Sequence, residues 1–261
     1  MAMETFIRKE LKYKMTDRQK AMFLKRLESI LKLDHFFEST IYSIYLDTEN
    51  FDLMRLCLDR PAFRQKVRIR SYAPITRAEG EVFLELKKKV NGFGLKSRCA
   101  FTPGKLEDFF RHPQGTDQAS KEMAALLGRL SLEPKFSLQA HRFSYVYPAN
   151  EEEIRITIDD RLTFRTDHPG LYASSQDEEL LEEGWNILEI KCSRSLPLPL
   201  VRTLFDLSIA PVSFSKAGQV YARILERKSD DYRTAHFDTV PADAAGFYSR
   251  NVWCTGLPHR L

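Results

Sequence analysis

The chain has 261 residues, enough for one large domain or two small ones, and its 43% of hydrophobic residues excludes a disordered chain. Lys and Arg exceed Asp and Glu by only 40 to 36, so the overall charge does not by itself indicate nucleic-acid binding. Any preference for anions must come from local clustering of cations.

Alternating and helical hydrophobic patterns predict an α+β protein with many strands. A first strand is expected over residues 6–14, and Thr16 with Gln19 forms a capping box that starts a helix running to about residue 33. Further strands are predicted over residues 39–46, 65–72, 82–90, 95–101, 136–147, 154–158, 162–165 and 186–191. Helices are predicted over residues 50–58, 105–110 and 120–130, after Pro197, and over residues 217–227. Asn91 and Gly92 predict a tight hairpin turn.

The domain organisation follows from what interrupts these elements. No internal repeat is found, and no linker rich in Gly, Pro or Ser separates the strands, so we expect one domain over residues 1–228. From residue 229 to residue 261 the periodicity is lost, which predicts a loosely ordered tail. The four cysteines lack the paired spacing of a structural zinc site, and neither a signal peptide nor a membrane-spanning stretch is recognisable. We therefore expect a cytoplasmic protein without direct membrane insertion.

Short segments that alternate charged and apolar residues are the most informative feature of the chain. Because successive side chains of a strand point to opposite faces, each segment has one apolar face and one charged, mostly basic face. A single Arg-x-Arg strand ordinarily has only a solvent-exposed basic face. The chain contains five alternating segments, and this number favours a binding site. If the strands close into a barrel with the charged face inward, they enclose a cationic tunnel suited to a polyanion and a metal ion. The segments are Arg68-Ile69-Arg70, Glu85-Leu86-Lys87, Lys96-Ser97-Arg98, Arg155-Ile156-Thr157-Ile158-Asp159 and Glu189-Ile190-Lys191.

Carboxylates among these cations allow two roles. Glu10, Glu85, Asp159 and Glu189 either pair with neighbouring cations or share a divalent cation with substrate phosphates. For Glu85 and Asp159, pairing with neighbouring cations is favoured at least as much as a role in metal binding. Glu189, with Lys191 on the same face, is the best candidate metal ligand. The histidines are too scattered to form a ligand set, and no Gly-rich phosphate loop or nucleophile elbow is present. Phosphate chemistry would therefore rely on side-chain charge.

An ordered set of short motifs from Thr5 to Arg227 resembles the VTC domain, the polyphosphate polymerase branch of the triphosphate tunnel metalloenzymes. The motifs are Glu10-Leu-Lys12-Tyr13, Tyr45-Leu-Asp47, Arg68-Ile-Arg70, Glu85-Leu-Lys87, Lys96, Arg142, Glu189-Ile-Lys191 and Phe214-Ser215-Lys216.

This resemblance implies an antiparallel β-barrel tunnel with surrounding helices. The tunnel would bind ATP and inorganic polyphosphate with Mn²⁺ or Mg²⁺ and transfer the γ-phosphate of ATP to the polyphosphate. By position, Glu189 would hold the metal and Ser215 would contact a phosphate oxygen. The implied catalytic cations are Lys12, Arg68, Arg70, Lys87, Arg142 and Lys216. We add Glu10, Glu85, Lys96, Arg98, Arg155 and Lys191 as substrate-binding residues.

Three departures from the family pattern keep other functions open. Ala140 stands where the better-known eukaryotic members have a Tyr, and Ser213 stands where they have a Lys, which favours a polyphosphate-binding module without turnover. Arg8 replaces the first Glu of the Glu-x-Glu-x-Lys strand of the triphosphatase branch, which weakens the alternative of a metal-dependent triphosphatase or polyphosphatase. A nucleic-acid surface is disfavoured because we expect no aromatic residues among the charged faces. A membrane-protein partner is left unassigned.

Overall fold

The computed structural model describes residues 9–59, 61–76, 79–91, 93–149 and 152–235. The helices are α1 (Asp17–Arg26), α2 (Asp52–Leu58), α3 (Pro103–Arg111), α4 (Gln118–Leu127), α5 (Leu198–Asp206) and α6 (Lys216–Ala235). The strands are β1 (Lys9–Thr16), β2 (Lys32–Asp47), β3 (Phe63–Ser71), β4 (Val82–Val90), β5 (Phe93–Phe101), β6 (Glu133–Ala149), β7 (Glu152–Arg165), β8 (Glu178–Glu179) and β9 (Trp185–Cys192).

All nine strands belong to one antiparallel sheet with the order β1-β9-β7-β6-β2-β3-β4-β5, and β8 pairs with β7. The long central strands β2 and β6 carry register shifts, between Leu33 and Glu38 on β2 and between His141 and Arg142 on β6. Such bulges bend a strand and increase its twist, so the sheet curls. One face of the sheet is therefore concave.

The prediction of a closed barrel is wrong, because the edge strands β1 and β5 do not pair within the described residues. The free edge of β1 is instead occupied by the chain before α6. Tyr13 bridges to Pro211, and the Val212 amide donates to the Lys12 carbonyl at 2.7 Å. Among the described residues, a 3.1 Å ion pair between Lys87 on β4 and Glu10 on β1 joins the two end regions of the sheet.

Apolar packing covers the convex face and part of the concave face. On the convex face, α1 and α5 cover β1, β7 and β9, while α3 and α4 cover β3, β4 and β5. On the concave face, α6 and α2 pack on an apolar layer that includes Phe136, Leu138, Ala140, Leu162 and Phe164. The rest of the concave face carries charged side chains. The fold thus provides a concave surface lined by charged, mostly basic side chains, which we call the cavity.

Local signals predicted most elements, and the structure corrects several of their bounds; β2, for example, begins at Lys32 and not near residue 39. The capping box of Thr16 and Gln19 forms, but α1 ends at Arg26 and not near residue 33, because β2 begins pairing with β6 at Lys32. The predicted strands over residues 154–158 and 162–165 are one strand, β7. Helix α6 continues to Ala235, past the predicted start of the tail, and residues 236–261 lie outside the described part of the chain.

The hairpin of β4 and β5 forms as predicted, with Val90 paired to Phe93 and Asn91 in a left-handed conformation at a φ of 50°. Gly92, the other predicted turn residue, lies outside the described residues. Among the described residues, no helix combines the length and the apolar composition that crossing a membrane requires.

Candidate phosphate-binding cavity

Side chains from three strands converge on residues 214–216, at the start of α6. We call these three residues the floor segment. The Lys12 ammonium on β1 donates to the Phe214 carbonyl at 3.1 Å. The Lys66 ammonium on β3 donates to the Ser215 hydroxyl at 2.9 Å. Lys216 pairs with Asp159 on β7. The floor segment therefore ties β1, β3 and β7 together across the concave face.

Glu85 on β4 is the centre of a cluster of four cations. Its carboxylate is 1% exposed and accepts hydrogen bonds from Arg68 Nε at 2.7 Å and Arg98 Nε at 2.6 Å. Lys96 Nζ lies at 2.8 Å and Arg70 Nε at 3.7 Å. Burial alone raises the pKa of Glu85, but these four cations outweigh burial and hold the pKa well below its usual value. Glu85 thus keeps four cations in place.

Asp159 on β7 organises a second cluster. It is fully buried and accepts a bidentate pair of hydrogen bonds from Arg142 on β6, at 2.6 and 2.9 Å, in addition to its contact with Lys216. Burial raises the pKa of Asp159, but the two cations lower it to about 2. Burial also lowers the pKa of Lys216. The pairing role that the sequence suggested for Glu85 and Asp159 is the one their contacts show.

Glu10 and Glu189 lie at the β1 and β9 end of the cavity and share Lys12. The Lys12 ammonium is 2.9 Å from Glu10 and 3.8 Å from Glu189, and Lys191 lies 2.8 Å from Glu189. Burial raises the pKa of both carboxylates, and repulsion from Glu189 also raises the pKa of Glu10. The neighbouring lysines lower both pKa values by more than these effects raise them. The pKa of Glu10 is lowered to about 2, and that of Glu189 lies well below its usual value.

These carboxylates are the residues that could hold a metal ion. Within the described ranges, no three Asp, Glu, His or Cys side chains converge as a ready-made ligand set. Thr157 is paired with Glu189 across the sheet, and its buried hydroxyl has no hydrogen-bond partner among the described residues. Oxygen donors from Glu10, Glu189 and Thr157 fit a hard cation such as Mg²⁺ or Mn²⁺, provided that substrate phosphates complete the shell.

Lys66 and Tyr45 also line the cavity; Lys66 was not named in the sequence analysis, and Tyr45 was named there only within a motif, without a role at the site. Lys66 faces Lys87 in register, and burial is the main cause that lowers its pKa. Among the described residues, its ammonium donates to the Ser215 hydroxyl. The Tyr45 hydroxyl accepts a hydrogen bond from Arg68 at 3.2 Å. Burial alone raises the pKa of Tyr45, but Arg68, Lys66 and other cations lower it to about 8. Extending the alternation of Arg68-Ile69-Arg70 back by two residues would have found Lys66.

Arg155 is the predicted site residue that the structure keeps apart from these clusters. Its guanidinium pairs with Asp34 at 3.0 Å and is 49% exposed, although Arg155 faces Lys191 in register.

Aromatic residues do lie on the charged face, contrary to our expectation, because Tyr45 pairs with Arg68 and Phe83 pairs with Arg70 across strands. Ala140 belongs to the apolar layer under α6.

Known families and solved structures include relatives of this chain. The family model of the VTC domain matches residues 7–225. A crystal structure from Bacillus halodurans, described there as a candidate adenylate cyclase, superposes with a TM-score of 0.51 at 13% identity and covers 82% of this chain and 96% of its own. A structure from Vibrio parahaemolyticus with the same description has a TM-score of 0.43 at 13% identity, covering 84% of this chain and 99% of its own. Curated proteins give no match.

Proposed function

The chain belongs to the VTC domain family, and we propose that it is a polyphosphate polymerase that transfers the γ-phosphate of ATP to a growing inorganic polyphosphate chain. The observation that carries this proposal is the charge balance of the cavity. In the described part, ten of the cations named above, from six strands and the floor segment, lie beside four carboxylates, an excess of six positive charges among these groups. The carboxylates are Glu10, Glu85, Asp159 and Glu189, and the cations are Lys12, Lys66, Arg68, Arg70, Lys87, Lys96, Arg98, Arg142, Lys191 and Lys216. Such an excess of one sign on a concave surface attracts and favours binding of a polyanion.

The proposed reaction is a direct in-line transfer. A terminal oxygen of polyphosphate attacks the γ-phosphorus of ATP, the bond from the γ-phosphorus to the β,γ-bridging oxygen breaks, and its electron pair leaves with ADP. The attacking oxygen is already anionic at neutral pH, so no general base is required. This agrees with a cavity whose four carboxylates are paired with cations and ionised.

The side chains would act by position and charge. Arg68, Arg70 and Arg98, aligned by Glu85, would hold phosphate oxygens from one wall, and Arg142 and Lys216, aligned by Asp159, would hold them from another. A divalent cation held by Glu189 and Glu10 would supply further charge neutralisation when bound. Fixing the guanidinium groups before substrate arrives lowers the cost of reorganisation during transfer.

The first experiment follows the products of ATP. Purified protein is incubated with ATP and Mn²⁺ or Mg²⁺, with and without a short polyphosphate primer, and polyphosphate, ADP and free phosphate are measured. The proposal expects polyphosphate formation matched by ADP. Free phosphate without chain growth would overturn it in favour of a hydrolase, and tight binding without turnover would overturn it in favour of a binding module.

Replacing Lys66 by Met tests whether its charge serves a ligand. We expect the affinity for tripolyphosphate to fall about tenfold, because the variant loses a cation with no carboxylate partner among the described residues. The melting temperature of the ligand-free protein should rise, because the variant no longer buries that cation. Lys121→Met, on an exposed position of α4, is the matched control for calorimetry and thermal unfolding. Unchanged affinity together with a lower melting temperature would show a structural role instead.

The lowered pKa of Tyr45 leads us to expect that the affinity for tripolyphosphate depends on pH. Its phenol ionises as the pH rises through about 8, which adds a negative charge beside Arg68 and repels a polyanion. We therefore expect the affinity for tripolyphosphate to decline severalfold between pH 7 and pH 9, and Tyr45→Phe to flatten that decline. Binding titrations at several pH values check this. The same decline in both proteins would assign the titration to another group.

A further inference from the structure

The charged wall of β3 ends in an exposed aromatic ring. Lys66 contacts the floor segment, Arg68 and Arg70 follow on the same face, and Tyr72 comes next in the alternation, just beyond the end of the strand. Residues two apart in a strand are separated by about 7 Å, so this wall leads stepwise away from the floor segment. Tyr72 is 46% exposed. The wall therefore changes from cations to an aromatic surface at its outer end.

A second aromatic ring lies beside the first. Phe83 on β4 is paired with Arg70 in register, and its ring centroid is 5.8 Å from that of Tyr72 at an interplanar angle of 69°. The residue opposite Phe83 on β5 is Ala100, so the cross-strand neighbour of the ring on that strand is small. We call Tyr72 and Phe83 the aromatic pair.

Arg98 links the aromatic pair to the phosphate-binding cations. Its guanidinium carbon lies 4.4 Å from the centroid of the Phe83 ring, and its Nη2 donates to the Tyr72 hydroxyl at 2.8 Å. Arg98 is also bound to Glu85, so the aromatic pair and the Glu85 cluster form one connected surface. A ligand with an aromatic group next to a run of phosphates would match both parts of this surface.

We propose that the aromatic pair binds the nucleobase of the nucleoside triphosphate whose phosphates lie on Arg68, Arg70 and Arg98. A nucleobase stacks on aromatic side chains through its π-face, and neighbouring guanidinium groups strengthen such contacts. This inference rests on the proposed function for the nucleotide substrate, but it adds a contact that only the nucleoside makes. Polyphosphate has no aromatic group, so its binding does not depend on the aromatic pair.

The test compares ATP with tripolyphosphate, two ligands that share the triphosphate but not the nucleoside. Dissociation constants are measured by calorimetry without metal for the natural protein and for Tyr72→Leu, Tyr72→Phe and Phe83→Leu. Phe93→Leu is the matched control, because Phe93 is a 53% exposed aromatic residue on the same hairpin. We expect both Leu variants to weaken ATP about tenfold and to change tripolyphosphate by less than about twofold. Tyr72→Phe, which keeps the ring, should retain most of the ATP affinity.

The outcomes separate this inference from the proposed function. Equal losses for both ligands would overturn it, since the rings would then only hold Arg98 in place. Unchanged ATP affinity in both Leu variants, or a natural protein that binds ATP no better than tripolyphosphate, would also overturn it. None of these results affects polyphosphate formation from ATP by the natural protein, which tests the proposed function separately.

Discussion

Replacing Glu85 by Gln is expected to destabilise the protein by about 3–5 kcal/mol, because removal of one partner from a buried ionic cluster leaves the other charges uncompensated. The Glu85 carboxylate is 1% exposed and contacts Arg68, Arg70, Lys96 and Arg98. An amide of the same shape cannot offset four positive charges. The variant should therefore unfold at a lower urea concentration, measured by circular dichroism.

An added polyanion should partly restore the Glu85→Gln variant. Tripolyphosphate supplies the missing negative charge, so its stabilising effect on the variant should exceed its effect on the natural protein. The matched control is Glu182→Gln, because the side chain of Glu182 is 77% exposed and pairs with Lys14 at 3.7 Å. That control should change the free energy of unfolding by less than about 1 kcal/mol. A Glu85→Gln variant as stable as the control would contradict the assigned role of the cluster.

The pH dependence of stability should change in the same variant. The pKa of Glu85 in the folded protein lies below that of an unfolded glutamate, which is about 4.3. Its contribution to stability is therefore complete above the unfolded value and is lost as the pH falls through the folded value. Glu85→Gln should accordingly lose less stability on acidification than the natural protein does.

Replacing Glu189 by Gln is expected to lower metal-dependent polyphosphate synthesis at least about a hundredfold, a loss of about 2.7 kcal/mol in transition-state stabilisation. Glu189 is 5% exposed and lies between Lys12 and Lys191. In the proposed function it is the chief metal ligand, and a neutral amide is a poor ligand for Mg²⁺ or Mn²⁺. Initial rates over a metal titration measure this effect.

Binding without metal should respond in the opposite direction to Glu189→Gln. The variant removes a negative charge from a cavity that receives a polyanion, so the affinity for tripolyphosphate should be equal or higher. Glu182→Gln again serves as the control and should retain the natural rate. Full metal-dependent activity in Glu189→Gln would remove Glu189 from the proposed mechanism. A loss of tripolyphosphate affinity together with activity would point to a damaged cavity rather than to a lost metal ligand.

The sequence predicted which strand faces carry charge, because alternation is a local property of the chain. Val67 and Ile69 lie in the convex core while Arg68 and Arg70 face the cavity, as the pattern indicates. Contacts between distant segments could not be predicted in this way. The pairing of Arg155 with Asp34 depends on how the sheet curls, and no local pattern encodes it.

Barrel closure is the clearest case of information that alternation lacks. Alternation fixes which side chains share a face, but it does not decide what occupies the free edge of the last strand. Here Pro211 and Val212 occupy the edge of β1. The predicted length of α1 failed for a related reason, since pairing of Lys32 with Val146 ends the helical region earlier than its apolar periodicity does.

The gap between β1 and β5 gives the cavity a seam along its length. Backbone hydrogen bonds hold the wall together everywhere else in the described sheet, but across the seam the described residues offer the ion pair of Lys87 with Glu10, in which Lys87 is 48% exposed. Parting an exposed ion pair costs at most about 1 kcal/mol. Widening the seam would part this ion pair and the hydrogen bond of Lys66 with the floor segment, but no strand pairing. A polymer many times longer than the cavity could then enter or leave laterally, without threading an end through it.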